Sequence, residues 1–344
     1  MSVPAGRKKS APVPTAARGA DSSKEGPDPR DILIIKPSSL GDVVHTLPAV
    51  ALVKKRWPEA RLRWLINPEW APLLEGNPNV DETVLFPRGE FRGLAGMARI
   101  PAWAKTMRRE QRADLVLDFQ GLLRSALIAR LCCRGEIVGL SDAREGARFL
   151  YHRAADVRGI AHAVDRCLAL VKRLGIEISQ PLEWPLPAGN PPQGFSLDAP
   201  FILLHPFSRG AGKSLSVADT LDFCQAVAPW PVVLAGRASE AVPPLAHLTD
   251  LLNRTTLSEL IWLLRRAAFV VSVDSGPMHI AAALTPRLIS LHTWSDPGKV
   301  GPYCPEAWIW KDGALFQVKD LANREVRRPA ATIAEVGRFL GTII

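Results

Sequence analysis

No apolar run in this sequence is long enough to cross a bilayer. The most hydrophobic stretches, residues 267–273 and 280–284, fall far short of the roughly 20 residues a membrane-spanning helix needs. Cysteine is scarce. The five present (Cys132, Cys133, Cys167, Cys224, Cys304) are scattered, odd in number and without zinc-ligand spacing. That pattern excludes a disulfide framework and points to a reducing compartment. No zinc-finger, RNA-recognition or helix-turn-helix signature is present, which counts against a nucleic-acid partner. Residues 1–30 carry Pro, Ala, Gly, Ser and basic residues. They have no hydrophobic period and no apolar core of signal-peptide length, and they read as a disordered tail.

What is present is ordinary globular material. Of the 344 residues, 47% are hydrophobic and 22% charged, which is ample apolar surface to offset chain entropy. The length favours two domains. The net charge is +9, unevenly spread. Residues 87–153 hold thirteen Lys or Arg against seven Asp or Glu, an excess suited to an anionic partner.

From residue 31 the pattern becomes that of alternating strands and helices. Continuous apolar runs at 32–35, 62–66, 80–86, 115–119 and 137–140 read as buried parallel strands. Helical patterns cover 43–56, 92–111 and 121–133. Six prolines between 181 and 200 mark a linker. A second series follows, with strands at 201–205, 232–235, 268–273 and 287–292. Its helices are expected at 216–228, 239–248, 257–266, from 276, and last at 331–341. The division is a tail (1–30), a first domain (31–180), a linker (181–200), a second domain (201–330) and a C-terminal helix (331–344). The fold class is α/β, two Rossmann-like domains facing each other across a cleft. Ligands in such sheets sit beyond the carboxyl ends of the strands.

Four strand-to-helix loops carry chemistry. Lys36-Pro37-Ser38-Ser39-Leu40-Gly41-Asp42 places a carboxylate at a helix start. It is either an N-cap or a general base. This loop has neither Walker A nor GxGxxG spacing, which counts against nucleotide hydrolysis and a dehydrogenase. Asp274-Ser275-Gly276-Pro277-Met278-His279 opens a helix whose free amides suit a phosphate, with His279 one turn in. His205-Pro206-Phe207-Ser208-Arg209-Gly210-Ala211-Gly212-Lys213 offers two glycines and two cations, with Lys213 a movable point charge. Gly236-Arg237-Ala238-Ser239-Glu240 ends in an acid placed either for ribose hydroxyls or for a helix dipole.

Together these segments resemble the heptosyltransferases of lipopolysaccharide core assembly, glycosyltransferase family 9. The resemblance rests on residues 34–49 (IIKPSSLGDVVHTLPA), 118–126 (DFQGLLRSA), 142–145 (DARE), 271–284 and 295–298 (SDPG). The matches occur in order between about residues 31 and 340, outside the tail. The resemblance implies a GT-B fold, no cofactor and no required metal. It implies inverting transfer of heptose from an ADP-heptose donor to the Kdo region of a lipid A–Kdo acceptor. Asp42 is then the catalytic base and Lys213 a second catalytic group facing the leaving phosphates. Ser208, Lys213, Glu240, Asp274, Ser275, Gly276 and His279 form the donor site. Ser39, Gly41, Arg124 and Arg144 face the acceptor. The family commonly has Trp and Pro two and three residues after the lysine, where this sequence has Ser214-Leu215-Ser216, and Thr293-Trp294 replaces the family's Gly-Pro. The implied place is the cytoplasm, peripheral at the inner-membrane surface. Two alternatives stay open: transfer of another nucleotide sugar to another glycan, and a non-catalytic glycan- or nucleotide-binding module. Retention of Asp42 and Lys213 argues against the last.

Overall fold

The computed structural model describes residues 28–196, 199–208, 212–323 and 325–344. All but the last three residues of the expected tail lie outside these, as do Arg209, Gly210 and Ala211 of the third loop.

The first domain has six strands: β1 (Asp31–Ile35), β2 (Arg61–Ile66), β3 (Glu82–Leu85), β4 (Ala113–Asp118), β5 (Cys133–Leu140) and β6 (Arg153–Ala155). They form one sheet in the order β3-β2-β1-β4-β5-β6, every pair parallel. Its helices are α1 (Leu40–Arg56), α2 (Gly93–Met97), α3 (Ile100–Glu110), α4 (Leu123–Cys132) and α5 (Ala163–Arg173). The continuous apolar run of β1 follows from this layering. Ile32 and Ile34 pack into the cluster that holds α1 and α5. Leu33 and Ile35 pack into the one that holds α3 and α4.

The second domain repeats the plan with β7 (Ile202–His205), β8 (Val232–Gly236), β9 (Leu248–Leu252), β10 (Phe269–Val273), β11 (Leu288–His292) and β12 (Trp308–Lys311). These run parallel in the order β9-β8-β7-β10-β11-β12. Antiparallel β13 (Ala314–Gln317) and β14 (Arg328–Pro329) extend the far edge. The helices are α6 (Val217–Ala226), α7 (Leu257–Arg266), α8 (Gly276–Leu284), α9 (Pro297–Val300) and α10 (Ile333–Leu340). Both strand orders are that of a dinucleotide-binding Rossmann sheet, and α10 packs on α6.

Some elements differ from expectation. No helix occupies 239–248; the segment is a loop leading into β9. Pro243-Pro244 lacks the amide donors a helix interior needs. Helix α1 begins at Leu40 rather than residue 43, so Gly41 and Asp42 lie in its first turn. The elements β6 and α5 have no counterpart in the expected series.

The two domains share a single apolar seam. Val43 and Leu47 of α1, Leu260 and Leu264 of α7, and Met278 of α8 belong to one buried cluster. Residues 181–196 form no helix or strand. They are strapped to α7, where the Arg265 guanidinium donates to the Leu186 and Pro187 carbonyls at 2.7 and 2.9 Å.

Candidate active site

The chain leaves β1 at Lys36 and turns into α1 at Ser39. Asp42, three residues on, accepts hydrogen bonds at Oδ2 from the Ser39 amide (3.0 Å) and the Ser39 hydroxyl (2.6 Å). This is the reciprocal half of a capping box. The other oxygen, Oδ1, lies 3.9 Å from Lys36 Nζ, and the Asp42 side chain remains 45% exposed. Lys36 is itself fixed, donating to the Phe119 carbonyl at 3.0 Å. Burial alone would raise the Asp42 pKa. The Lys36 ammonium and the Ser39 hydrogen bonds outweigh it and leave the carboxyl below its ordinary value, so it is ionised at neutral pH.

Asp42 stands where two cavities meet. One, of about 290 Å³, lies in the first domain and is lined by Lys36, Asp42, His45, Gly121, Arg144 and Arg166 among others. Arg166 pairs with Asp142 across this wall. The other, of about 710 Å³, lies between the domains. Ser39, Gly41 and Asp42 line it from one side; Ser208, Lys213, Asp274, Ser275, Gly276 and His279 line it from the other. Asp42 and His45 line both.

The wall of the smaller cavity is held by a buried hub. Asp118 accepts from the Ser125 and Tyr151 hydroxyls at Oδ2 (2.8 and 2.7 Å) and from the Gln120 and Gly121 amides at Oδ1 (2.9 and 3.2 Å). Burial dominates and leaves its pKa raised despite these donors.

On the second-domain side of the larger cavity, β10 ends at Val273 and α8 starts at Gly276, with Ser275 extended before it. The first-turn amides of a helix have no intrahelical acceptors, and here they open onto the larger cavity. Lys213 Nζ sits 2.9 Å from Asp274 Oδ2 and 5.6 Å from the centre of the Trp294 ring. A cation and a helix N-terminus thus converge on one cavity. That combination favours a phosphate-bearing ligand.

The two helix starts interlock across the seam. A methyl group on Gly41 would lie 2.6 Å from His279 Cδ2, and one on Gly276 would lie 2.4 Å from Leu40 Cδ2. Only glycine admits the opposing side chain at either place. His45 Nε2 and His279 Nδ1 share a hydrogen bond of 2.9 Å, while His45 Nδ1 is buried without a partner among the described residues. A second tie runs from His162, before α5, to the Gly301 carbonyl (3.1 Å). A third joins the Tyr303 hydroxyl to Asp165 (2.7 Å). Burial lowers the pKa of His45 well below the ordinary histidine value, reinforced by the neighbouring His279. It lowers His279 to about 3.

Not every expected residue reaches the site. Glu240 is exposed on the loop after β8, outside the lining of either cavity. Arg124 is likewise outside both. Its guanidinium lies 5.7 Å over the Phe86 ring. Arg144 does line the smaller cavity. Conversely, Lys36, His45 and Arg166 line the site without having been singled out. The spacing of Asp42 and His45, three apart on one helix, puts them on the same face and is a signal the sequence contains. Arg166 carries no such signal, because α5 itself is not read from the sequence.

Comparison with known proteins bears on the family and the fold. Residues 102–205 and 228–323 match the model of glycosyltransferase family 9 (heptosyltransferase). The chain is 29% identical to lipopolysaccharide heptosyltransferase 1 of Pseudomonas aeruginosa, over 79% of this chain and 81% of that one. It is also 29% identical to the protein of that name from Salmonella typhimurium, over 79% and 91%. The structure of E. coli heptosyltransferase WaaC with ADP superposes with a TM-score of 0.71 and 25% identity, covering 91% of this chain and all of that one. The facing Rossmann domains are the GT-B fold, and the chain belongs to glycosyltransferase family 9, whose members are heptosyltransferases.

Proposed function

We propose that this protein transfers heptose from ADP-heptose to the Kdo region of a lipid A–Kdo acceptor, with inversion at the anomeric carbon. The observation that carries the reading is Asp42, an ionised carboxylate at the junction of an interdomain cavity and a cation-lined cavity. The first domain holds the acceptor, with Lys36, Arg144 and Arg166 facing its carboxylate and phosphate groups. The second domain holds the donor. The start of α8 and Lys213 face the diphosphate, and Asp274 holds Lys213 in place. Asp42 takes the proton from the acceptor hydroxyl as that oxygen bonds to the anomeric carbon. The bond from that carbon to the diphosphate breaks, and ADP leaves as an anion. Preorganised cations and amides at the departing phosphates serve here in place of a strong general acid.

The acceptor is a lipid-linked glycan, which places the enzyme peripherally at the cytoplasmic surface of the inner membrane. No described helix is long and apolar enough to cross that membrane. Purified protein assayed with ADP-, UDP- and GDP-sugars against delipidated and lipid-linked Kdo acceptors tests the reading. Turnover is expected only with ADP-heptose and a Kdo acceptor. Preferred turnover of a UDP- or GDP-sugar would replace the donor assigned here.

A further inference from the structure

Large exposed apolar side chains are concentrated on one part of the surface. Among the described residues ten such side chains occur, and seven of them (Leu85, Leu94, Met97, Ile100, Leu123, Leu127, Phe149) belong to the first domain between residues 85 and 149. Leu94 is 84% exposed and Phe149 is 89% exposed, so neither contributes to a core. They are also together in the fold. Leu85 ends β3, and Leu94, Met97 and Ile100 follow in the crossover to β4. Leu123 opens α4 after β4, and Phe149 follows β5. In a parallel sheet these strand ends share one edge, the edge onto which the smaller cavity opens. Packing joins the pieces: α3 lies on α4, and α4 on the 147–150 turn.

The outward turn of α2 is built in. A side chain at Gly96 would strike the Glu90 carbonyl at 2.5 Å, so this face of α2 lies against the chain before it. Leu94 and Met97, three apart, occupy the opposite face. Exposed cations flank them along the chain. Residues 88–105 hold four Lys or Arg (Arg88, Arg92, Arg99 and Lys105) against one acid, Glu90. That acid is itself paired with Arg99. Exposed apolar anchors flanked by arginine and lysine fit an anionic bilayer surface, where the side chains enter the headgroup boundary and the cations meet the phosphates.

We infer that this edge of the first domain, centred on Leu94, Met97 and Ile100, is the face that docks on an anionic lipid bilayer, with the acceptor cavity opening toward it. The inference rests on the proposed lipid-linked acceptor for its purpose, yet vesicle binding is measured without turnover, so either can fail alone. The full chain is mixed with vesicles of phosphatidylglycerol and phosphatidylethanolamine, or of phosphatidylcholine alone, and sedimented at two salt concentrations. Binding is expected to the anionic vesicles and to weaken with salt. Each Lys or Arg near such a surface contributes about a fivefold factor in partitioning. An Arg88→Ser, Arg92→Ser, Arg99→Ser variant is therefore expected to bind roughly a hundredfold more weakly.

A Leu94→Asn, Met97→Asn, Ile100→Ser variant is expected to lose binding to anionic vesicles as well. Both variants are expected to keep full turnover of a delipidated acceptor and to lose turnover of one embedded in vesicles. Retained turnover of the delipidated acceptor also shows that each variant is folded. Equal binding to both vesicle types, or variants that bind like the parent, overturns the inference. So does light scattering that shows the apolar variant to separate a dimer into monomers while vesicle binding persists, since the face is then a contact between copies.

Discussion

One oxygen of Asp42 closes the first turn of α1 and the other faces Lys36. Asparagine keeps an acceptor for Ser39 but cannot take a proton. Asp42→Asn is therefore expected to fold normally, bind donor as the parent does, and lose about 10²–10⁴-fold in kcat. Near-parent turnover would remove Asp42 from the base role. Lys213 pairs with Asp274, which is only 6% exposed. Lys213→Ala removes a charge-assisted contact to the donor and leaves a buried carboxylate without its cation. Donor affinity is expected to fall by about 10- to 100-fold, since such contacts contribute about 1.5–3 kcal/mol; unchanged donor affinity in calorimetry would place the phosphates elsewhere. The histidines give a pH dependence of stability. His205, His279 and His292 are buried and held neutral, with pKa values lowered to about 4, 3 and 4, chiefly by burial. In the unfolded chain they titrate near the ordinary value of about 6.5. As pH falls below that value the unfolded chain takes up protons that the folded one does not, so stability falls between about pH 6.5 and pH 4. The three together are expected to cost about 4 kcal/mol between pH 7.5 and pH 5.5. Urea midpoints at those two pH values measure this, and a flat result would mean the rings protonate freely in the folded state.

At the scale of elements, the starts of α1 and α8 are the working parts, and each carries a glycine to receive the other's side chain. Gly276→Ala places a methyl group 2.4 Å from Leu40, so one helix start must move away from the other. Overpacking of this kind typically costs about 1–3 kcal/mol. Because the proposed base lies on one helix and the proposed phosphate site on the other, the loss is expected in kcat as well as in thermal stability. A second change, Leu40→Ala, is expected to restore part of both, and no recovery would mean that Gly276 matters for its own backbone contact with donor. The Asp118 turn has a similar dependence. Tyr151 reaches Asp118 across Gly139, where a methyl group would come within 2.3 Å of the ring. Gly139→Ala is expected to lower the melting temperature by several degrees and to weaken acceptor binding through the displaced Gly121 wall, which differential scanning calorimetry and acceptor titration together would show.

For the whole molecule, the proposed division of labour puts acceptor groups in the first domain and donor groups in the second, and the two domains are joined by an apolar seam and the strapped 181–196 segment. Arg144 lines only the first-domain cavity. An Arg144→Ala variant is therefore expected to raise acceptor KM and leave donor affinity unchanged, with added salt weakening acceptor binding more in the parent than in the variant. A fall in donor affinity instead would reverse the assignment of the domains.

The strand runs, the loop motifs and the breaks between them were legible because they are local. An apolar run such as 32–35 has one stable place, the middle of a sheet covered on both faces. The Asp42 and Asp274–His279 loops are read from turn-forming residues and helix-start chemistry alone. What needed tertiary structure is what depends on residues far apart in the chain. Lys36 meets Asp42 only because the Phe119 carbonyl holds it. His45 meets His279, 234 residues away, only because two glycines let the helix starts approach. Arg124 looked equivalent to Arg144 in sequence, and Glu240 read as a ribose contact, yet both fall outside the cavities. Direction at a strand end is set by packing of the following segment: Arg124 is turned onto the Phe86 ring, and the Pro243-Pro244 pair denies Glu240 the helix that would have fixed it. Local sequence therefore determined which loops carry chemistry, and long-range packing decided which of their side chains share a cavity.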